Sequence, residues 1–351
     1  MANMAQAIRM ALAYGEAHLG VTDVFGEDVG PPLGGVFTAT QGLKTAWNSP
    51  LDERGIIGCA YGLALAGQRP VAEIQFCDYI FNTIDLIKLV GNAHWGCAGA
   101  WNLPLTVMTP VGAGIHGSIY HSHSFDAIMT HLPGWKIVMP STPIDAYGLM
   151  IAALKDSNPV MYLKPKALLR TKGEELIPGE PADEKTLSKM IDAPLGDRSQ
   201  WKPQWPDLTD YTVEIGKGKV VREGAHVTAV TYGRHVLITK AAAATLAEEG
   251  IEVEVIDLRS LFPYDWDLVV GSIRKTGRVV FINEDTSVVN FGEHLLRRAI
   301  DELFYELDAR PRLVAGKHVP GVGLAPILEE NSVPQQKDVE RVLREAALEP
   351  A

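Results

Sequence analysis

The stretch HVTAVTYGRHVLITKAAAATLAEEGIEVEVIDL, residues 226–258, decides the fold class. Residues 226–232 are short, apolar and β-branched, which predicts a buried strand. Residues 236–249 are rich in Ala and Leu and stop at Gly250, which predicts a helix. Residues 251–258 alternate Val and Glu before turning apolar, which suits a strand near a sheet edge. A helix of this length between two strands is a crossover, and crossovers build parallel sheets covered by helices on both faces. The series continues with a helix over 265–275, a strand over 278–282, a helix over 291–307 and a strand over 312–315.

The same alternation, less regular, runs through the first half. Helices are expected over 4–18, 55–65, 80–90 and 145–154, and strands over 21–25, 70–76, 103–108, 135–139 and 160–163. At roughly 150 residues per domain, 351 residues suggest about two domains. The division predicted is a first α/β domain over 1–175, a connector with an embellishment over 176–221, and a second α/β domain over 222–351. Each would hold a largely parallel sheet flanked by helices. Pro178, Pro181, Pro194, Pro203 and Pro206 interrupt any helix in the connector, and its length suggests a wrap across a neighbouring domain or subunit. Gly58, Ala60, Gly62 and Ala64 make the 55–65 helix narrow, so a close-packed contact in a water-soluble protein is expected there.

Composition excludes several classes. Apolar residues form 46% and charged residues 21%, enough to bury a core in each half. A net charge of −11, from 32 basic and 43 acidic residues, disfavours broad nucleic-acid binding. No apolar run reaches the length of a membrane span. The N-terminus lacks the basic and apolar regions of a signal peptide, and Cys59, Cys77 and Cys97 are too scattered for a disulfide framework, so a reducing, cytoplasmic location is expected. No GxGxxG or GxxxxGK[ST] stands where a strand meets a helix, which argues against a dinucleotide-binding module.

The chemistry concentrates in GAGIHGSIYHSHS, residues 112–124. Three glycines, three histidines and three serines follow a predicted strand. Loops beyond the carboxyl ends of parallel strands are where open α/β sheets place ligands, and imidazoles shuttle protons near neutral pH. His121 and His123, two residues apart, reach a shared metal ion only from a loop.

The residues in combination resemble a known family. FGEDVG (25–30), GGVF (34–37) with Thr40 and Gly42-Leu43, PLDERGIIG (50–58), EIQFCDYIF (73–81), YHS (120–122), HLPG (131–134), PSTP (140–143) and VIDLRSLFPYD (255–265) occur in the order found in β subunits of heterotetrameric, thiamine-diphosphate-dependent E1 components of 2-oxo acid dehydrogenase complexes. The resemblance implies a transketolase-like pyrimidine-binding domain followed by a transketolase C-terminal-like domain. It implies that Glu53 is the glutamate bonded to the cofactor's aminopyrimidine ring, that Tyr79 and Phe76 pack near that ring, and that His116 contributes beside it. It makes His121 the histidine that acts on the 2-oxo acid and its adduct.

It further implies oxidative decarboxylation with acyl transfer to lipoamide, an α2β2 assembly, and docking to a lipoyl-bearing dihydrolipoyl acyltransferase (E2). The diphosphate and magnesium motif, a GDG followed by an Asn, is missing here; in the family it lies on the α subunit. Members also hold potassium through main-chain carbonyls, at residues that cannot be named in this sequence. EIQFCDYIF favours branched-chain 2-oxo acids over pyruvate. Leu86, Met108, His123 and His318 depart from the family pattern. Two-chain acetoin dehydrogenase or transketolase-like chemistry is the alternative within the same cofactor, and a non-catalytic structural or regulatory subunit is the alternative outside it.

Overall fold

A computed structural model of the chain describes residues 1–198 and 200–350. Ser199, in the connector, and Ala351, which closes the C-terminal segment, lie outside the described residues. In chain order the elements are α1 (Met4–Tyr14), β1 (Asp23–Gly26), β2 (Ala46–Asn48), α2 (Glu53–Leu65), β3 (Pro70–Glu73), α3 (Ile84–Gly96), β4 (Thr106–Val111), α4 (Asp126–Thr130), β5 (Lys136–Val138), α5 (Pro143–Lys155), β6 (Val160–Pro165) and α6 (Glu184–Ile191). Then follow β7 (Lys219–Arg222), β8 (Val227–Thr231), α7 (Arg234–Glu248), β9 (Val253–Asp257), β10 (Ser260–Phe262), α8 (Trp266–Thr276), β11 (Val279–Thr286), α9 (Phe291–Leu303), β12 (Arg312–Gly316), α10 (Pro326–Ser332) and α11 (Gln336–Leu348).

The chain forms two compact units. The first comprises Met1–Pro110 and Leu132–Ile215, the second Val111–His131 and Gly216–Ala351. Residues 111–131, which the sequence reading puts inside the N-terminal segment, thus group with the C-terminal unit.

In the first unit six strands run in the order β5-β6-β4-β3-β1-β2. β1 pairs in parallel with β2 and β3, β3 with β4, and β5 with β6. Every residue of β4 and β6 is buried, as expected of strands covered on both faces. That burial includes a charge pair: Lys164 and Glu73, both without solvent exposure, bridge β6 and β3. Glu73 also accepts the Val36 amide at 3.1 Å, tying down the loop after β1. Removing one partner of such a pair strands the other charge in the core. Helix α1 starts on a capping box, with Asn3 and Gln6 exchanging backbone-to-side-chain bonds of 3.0 and 2.9 Å.

The connector is not free of helix. α6 forms between Pro181 and Pro194 because Asp183 caps it and Leu187 and Ile191 bury one face. Arg9 of α1, 1% exposed, pairs with Asp192 just beyond α6, and the Ala2 amide donates to Glu180 at 3.2 Å. The segment is therefore packed against the first unit.

In the second unit the order is β12-β11-β8-β9-β7. β8, β9, β11 and β12 are parallel, and β7 closes one edge antiparallel to β9. β9 thus lies one strand from the edge. Val227, Val253, Val255, Val280 and Ile282 form the core with Leu246 of α7 and Leu343 of α11. Among the described residues no helix is long and apolar enough to cross a membrane.

Candidate active site

In the first unit the candidate residues gather at the carboxyl ends of β1 and β3 and at the start of α2. Asp52 caps α2 by accepting the Gly55 amide at 2.9 Å, which places Glu53 on the first helical turn. Glu53 Oε2 accepts the Asn82 amide at 3.0 Å, and Oε1 has no partner among the described residues. Glu27 stands in the turn after β1. Burial, then the charges of Asp28 and Glu53, push its carboxyl above the usual range. The Tyr79 phenol is likewise raised, by burial and then by Asp78, Glu27 and Glu53. Phe76 meets Tyr79 edge-to-face, ring centroids 5.8 Å apart, and the buried Lys166 lies 5.6 Å from the Phe76 ring centre. Gln75 donates to Asp28 at 3.2 Å.

Glu53, Tyr79 and Phe76 therefore share one patch. Glu27, Gln75 and Asn82 join it, and the sequence reading did not single them out. The acidic turn at 27–28, directly after a strand, is the one local signal that would have found Glu27. A patch with an open carboxylate oxygen and half-buried rings can accept a hydrogen bond from a flat ring that packs there.

In the second unit the histidine loop is held by carboxylates. Glu284 at the end of β11 accepts the Ala113 amide at 3.0 Å. Glu329 of α10, 5% exposed at its side chain, accepts the Gly114 amide at 3.0 Å and the His116 amide at 2.9 Å. His116 itself is left-handed, with φ of 55°, and its Nδ1 lies 3.5 Å from Glu329. His121 Nδ1 lies 3.0 Å from the Gly117 carbonyl. A carbonyl only accepts, so Nδ1 donates this bond, which fixes the direction of the ring. A side chain at Gly117 would meet the Cβ and carbonyl oxygen of His121 at 2.8 Å, so glycine is what lets the ring sit there. His116 and His121 thus share one short loop. The carboxylates that fix it lie more than 160 residues downstream, where no spacing rule points.

Below the loop Asp126 is wholly buried, accepting from Ser124 at 2.7 Å and Tyr232 at 3.0 Å. Burial, and then the charge of Asp285, raise its carboxyl well above the usual range. His123 stacks on Phe125 at 4.8 Å and lines, with His318, a cavity of about 240 Å³. Two of the residues that depart from the family pattern therefore share one cavity. A third, Leu86, sits 3.6 Å from where a Gly58 side chain would begin, and the fourth, Met108, is buried in β4. Among the described residues no group of three or more His, Cys, Asp or Glu could hold a metal ion.

Comparison with known proteins also divides the chain in two, with residues 111–131 inside the first match. Residues 1–172 match the family described as the transketolase pyrimidine binding domain, and residues 216–339 the transketolase C-terminal domain. The chain is 36% identical over 332 residues to the 2-oxoisovalerate dehydrogenase subunit beta of Bacillus subtilis (strain 168), covering 92% of each chain. It is 34% identical over 325 residues to the pyruvate dehydrogenase E1 component subunit beta of the same organism, covering 90% of this chain and 89% of that one. Its fold matches a structure described as a split gene transketolase, inactive beta4 tetramer, with a TM-score of 0.72 and 22% identity over 99% of both chains. The chain belongs to the thiamine-diphosphate-dependent E1 β subunits of the 2-oxo acid dehydrogenase family, on its branched-chain side.

Proposed function

We propose that this chain supplies the pyrimidine side of a thiamine diphosphate site and that, with an α subunit, it decarboxylates a branched-chain 2-oxo acid and passes the acyl group to lipoamide. The observation that carries this is Glu53: its Oε1 is open, its Oε2 is held by Asn82, and Glu27 and Tyr79 stand beside it. Glu53, Tyr79 and Phe76 would hold the pyrimidine half of thiamine diphosphate, which would supply a nucleophilic carbon for chemistry at the 2-oxo group.

The protein's part is proton control. Glu53 Oε1 holds the proton at the pyrimidine ring nitrogen. Glu27 stands beside Glu53, its carboxyl raised by burial and by the charges of Asp28 and Glu53. Phe76 and Tyr79 limit water at the ring. His121, its ring oriented by the Gly117 carbonyl, acts at the substrate's carbonyl region. His116 is held in place by Glu329 beside it.

Magnesium and the diphosphate are assigned to the α subunit. The surface supports a partner chain: Leu89 and Trp95 of α3 are exposed, Trp95 to 91%, and Gly62 of α2 has open space where a side chain would begin. Substrate choice follows the 2-oxoisovalerate relatives, and docking to a lipoyl-bearing acyltransferase follows the family. The three cysteines are free thiols, which fits a reducing compartment such as the cytoplasm.

The test is coexpression with the neighbouring gene that carries the diphosphate motif, a tag on one chain only, and addition of thiamine diphosphate and magnesium. Reduction of an artificial electron acceptor is then followed with branched-chain 2-oxo acids, pyruvate and 2-oxoglutarate. Copurification with preferred turnover of the branched-chain acids is the expected result. Preference for pyruvate overturns the substrate, and turnover only of acetoin or a ketose overturns the dehydrogenase reading.

A further inference from the structure

The connector has no part in the chemistry above, yet it walls a cavity in the first unit. Ala193, Arg198, Trp201, Lys202, Pro203 and Trp205 face the loop between β1 and β2 across a space of about 720 Å³, within the usual range for small-molecule sites. Its lining includes Leu43, Trp201 and Trp205, and three cations, Lys44, Arg198 and Lys202. Among the described residues it includes no Asp or Glu, although the chain as a whole carries a net charge of −11. None of the three cations forms an ion pair among the described residues. Asp192, next to the wall, is committed to Arg9 and Gln6.

The walls are preformed. Gln41 Oε1 accepts both from Arg9, at 3.1 Å, and from the Ala193 amide, at 3.2 Å, so loop and connector share one buried anchor. The Gln204 amide donates to the Met190 carbonyl at 2.8 Å, folding the segment back on α6. Gly42, with φ of 82°, sits so close that a side chain would begin 2.8 Å from Pro203 and 3.0 Å from Trp201. Thr45, beside Lys44, is fixed by Glu16 at 2.7 Å.

We propose that this cavity binds a small organic anion with a planar or apolar body. The indoles of Trp201 and Trp205 take the body, and Lys44, Arg198 and Lys202 take the acidic head. This goes beyond the E1 function and does not depend on it.

The probe is 1-anilinonaphthalene-8-sulfonate, an aromatic sulfonate, set against the uncharged N-phenyl-1-naphthylamine. Both are titrated into the copurified assembly, and energy transfer from tryptophan is read. The sulfonate is expected to bind with transfer that the W201F/W205F double variant removes. The K44Q/K202Q double variant is expected to weaken the sulfonate by roughly tenfold or more while leaving the uncharged probe nearly unchanged. These lysines are exposed, so the uncharged probe also reports that the cavity survives the substitutions. Three results overturn the proposal: equal loss of both probes in K44Q/K202Q, sulfonate binding that K44Q/K202Q leaves intact, or binding to the isolated chain that vanishes in the assembly.

Discussion

The acidic patch of the first unit and the histidine loop of the second use the same residue type for opposite ends. Glu53 gives one oxygen to Asn82 and keeps the other open. Glu329 gives both oxygens to backbone amides of the loop and is buried. A carboxylate with an unspent oxygen can hold and release a proton. One whose oxygens are saturated by amides is a fastening, because a change at either oxygen moves the chain it holds. The difference lies in what each oxygen touches, and residue type alone does not reveal it.

This contrast can be broken by paired substitutions. The largest effect expected is from Glu53→Gln: a fall in kcat of roughly a thousandfold with little change in melting temperature, measured by turnover and calorimetry on the reconstituted assembly. Normal turnover would end the assignment of Glu53 to the cofactor ring. Next comes Gly117→Ala. The added methyl has to displace His121, and a shift of about 1 Å at a reacting group costs about a hundredfold in kcat. Thiamine diphosphate binding, followed by calorimetric titration, should hardly change.

Glu329→Gln should show the inverse pattern to Glu53→Gln. One loop amide then faces an NH2 group, which costs about 1.5–3 kcal/mol in a denaturant titration, while kcat falls by no more than roughly tenfold. If Glu329→Gln abolished turnover at unchanged stability, the distinction between proton holder and fastening would fail.

The smallest effect concerns pH. Asp126 has a raised pKa in the folded state, so the folded protein binds its proton more tightly than the unfolded chain does. Its contribution is complete below the ordinary carboxylate range and is lost as pH rises through the raised value. Asp126→Asn should flatten that decline in a plot of stability against pH. A curve parallel to the unsubstituted protein would show that Asp126 carries no such penalty.

Much of this was legible in the sequence. The strand at 226–232 and the helix after it differ from β8 and α7 by only a residue or two at each end, because apolar runs and Gly250 mark them. α6 was hidden by its proline-rich surroundings, although Asp183 was a cap signal in plain view. α11 is amphipathic, but no strand follows it to mark it as a crossover, so the alternation of strands and helices does not point to it. Glu53 was legible only by resemblance, since one glutamate after a proline-containing turn looks like any other. Glu329 was not legible at all: 213 residues separate it from His116, and only folding joins them.

The pairing of Arg9 with Asp192 has a consequence for the order of events during synthesis. α1 leaves the ribosome before the carboxylate that receives its interior guanidinium, which is made 183 residues later. At typical translation speeds that gap is roughly ten to forty seconds. For that interval the helix has a cation with no resting place, and the connector ends its wait. Helix α1 is thus finished by a segment made much later.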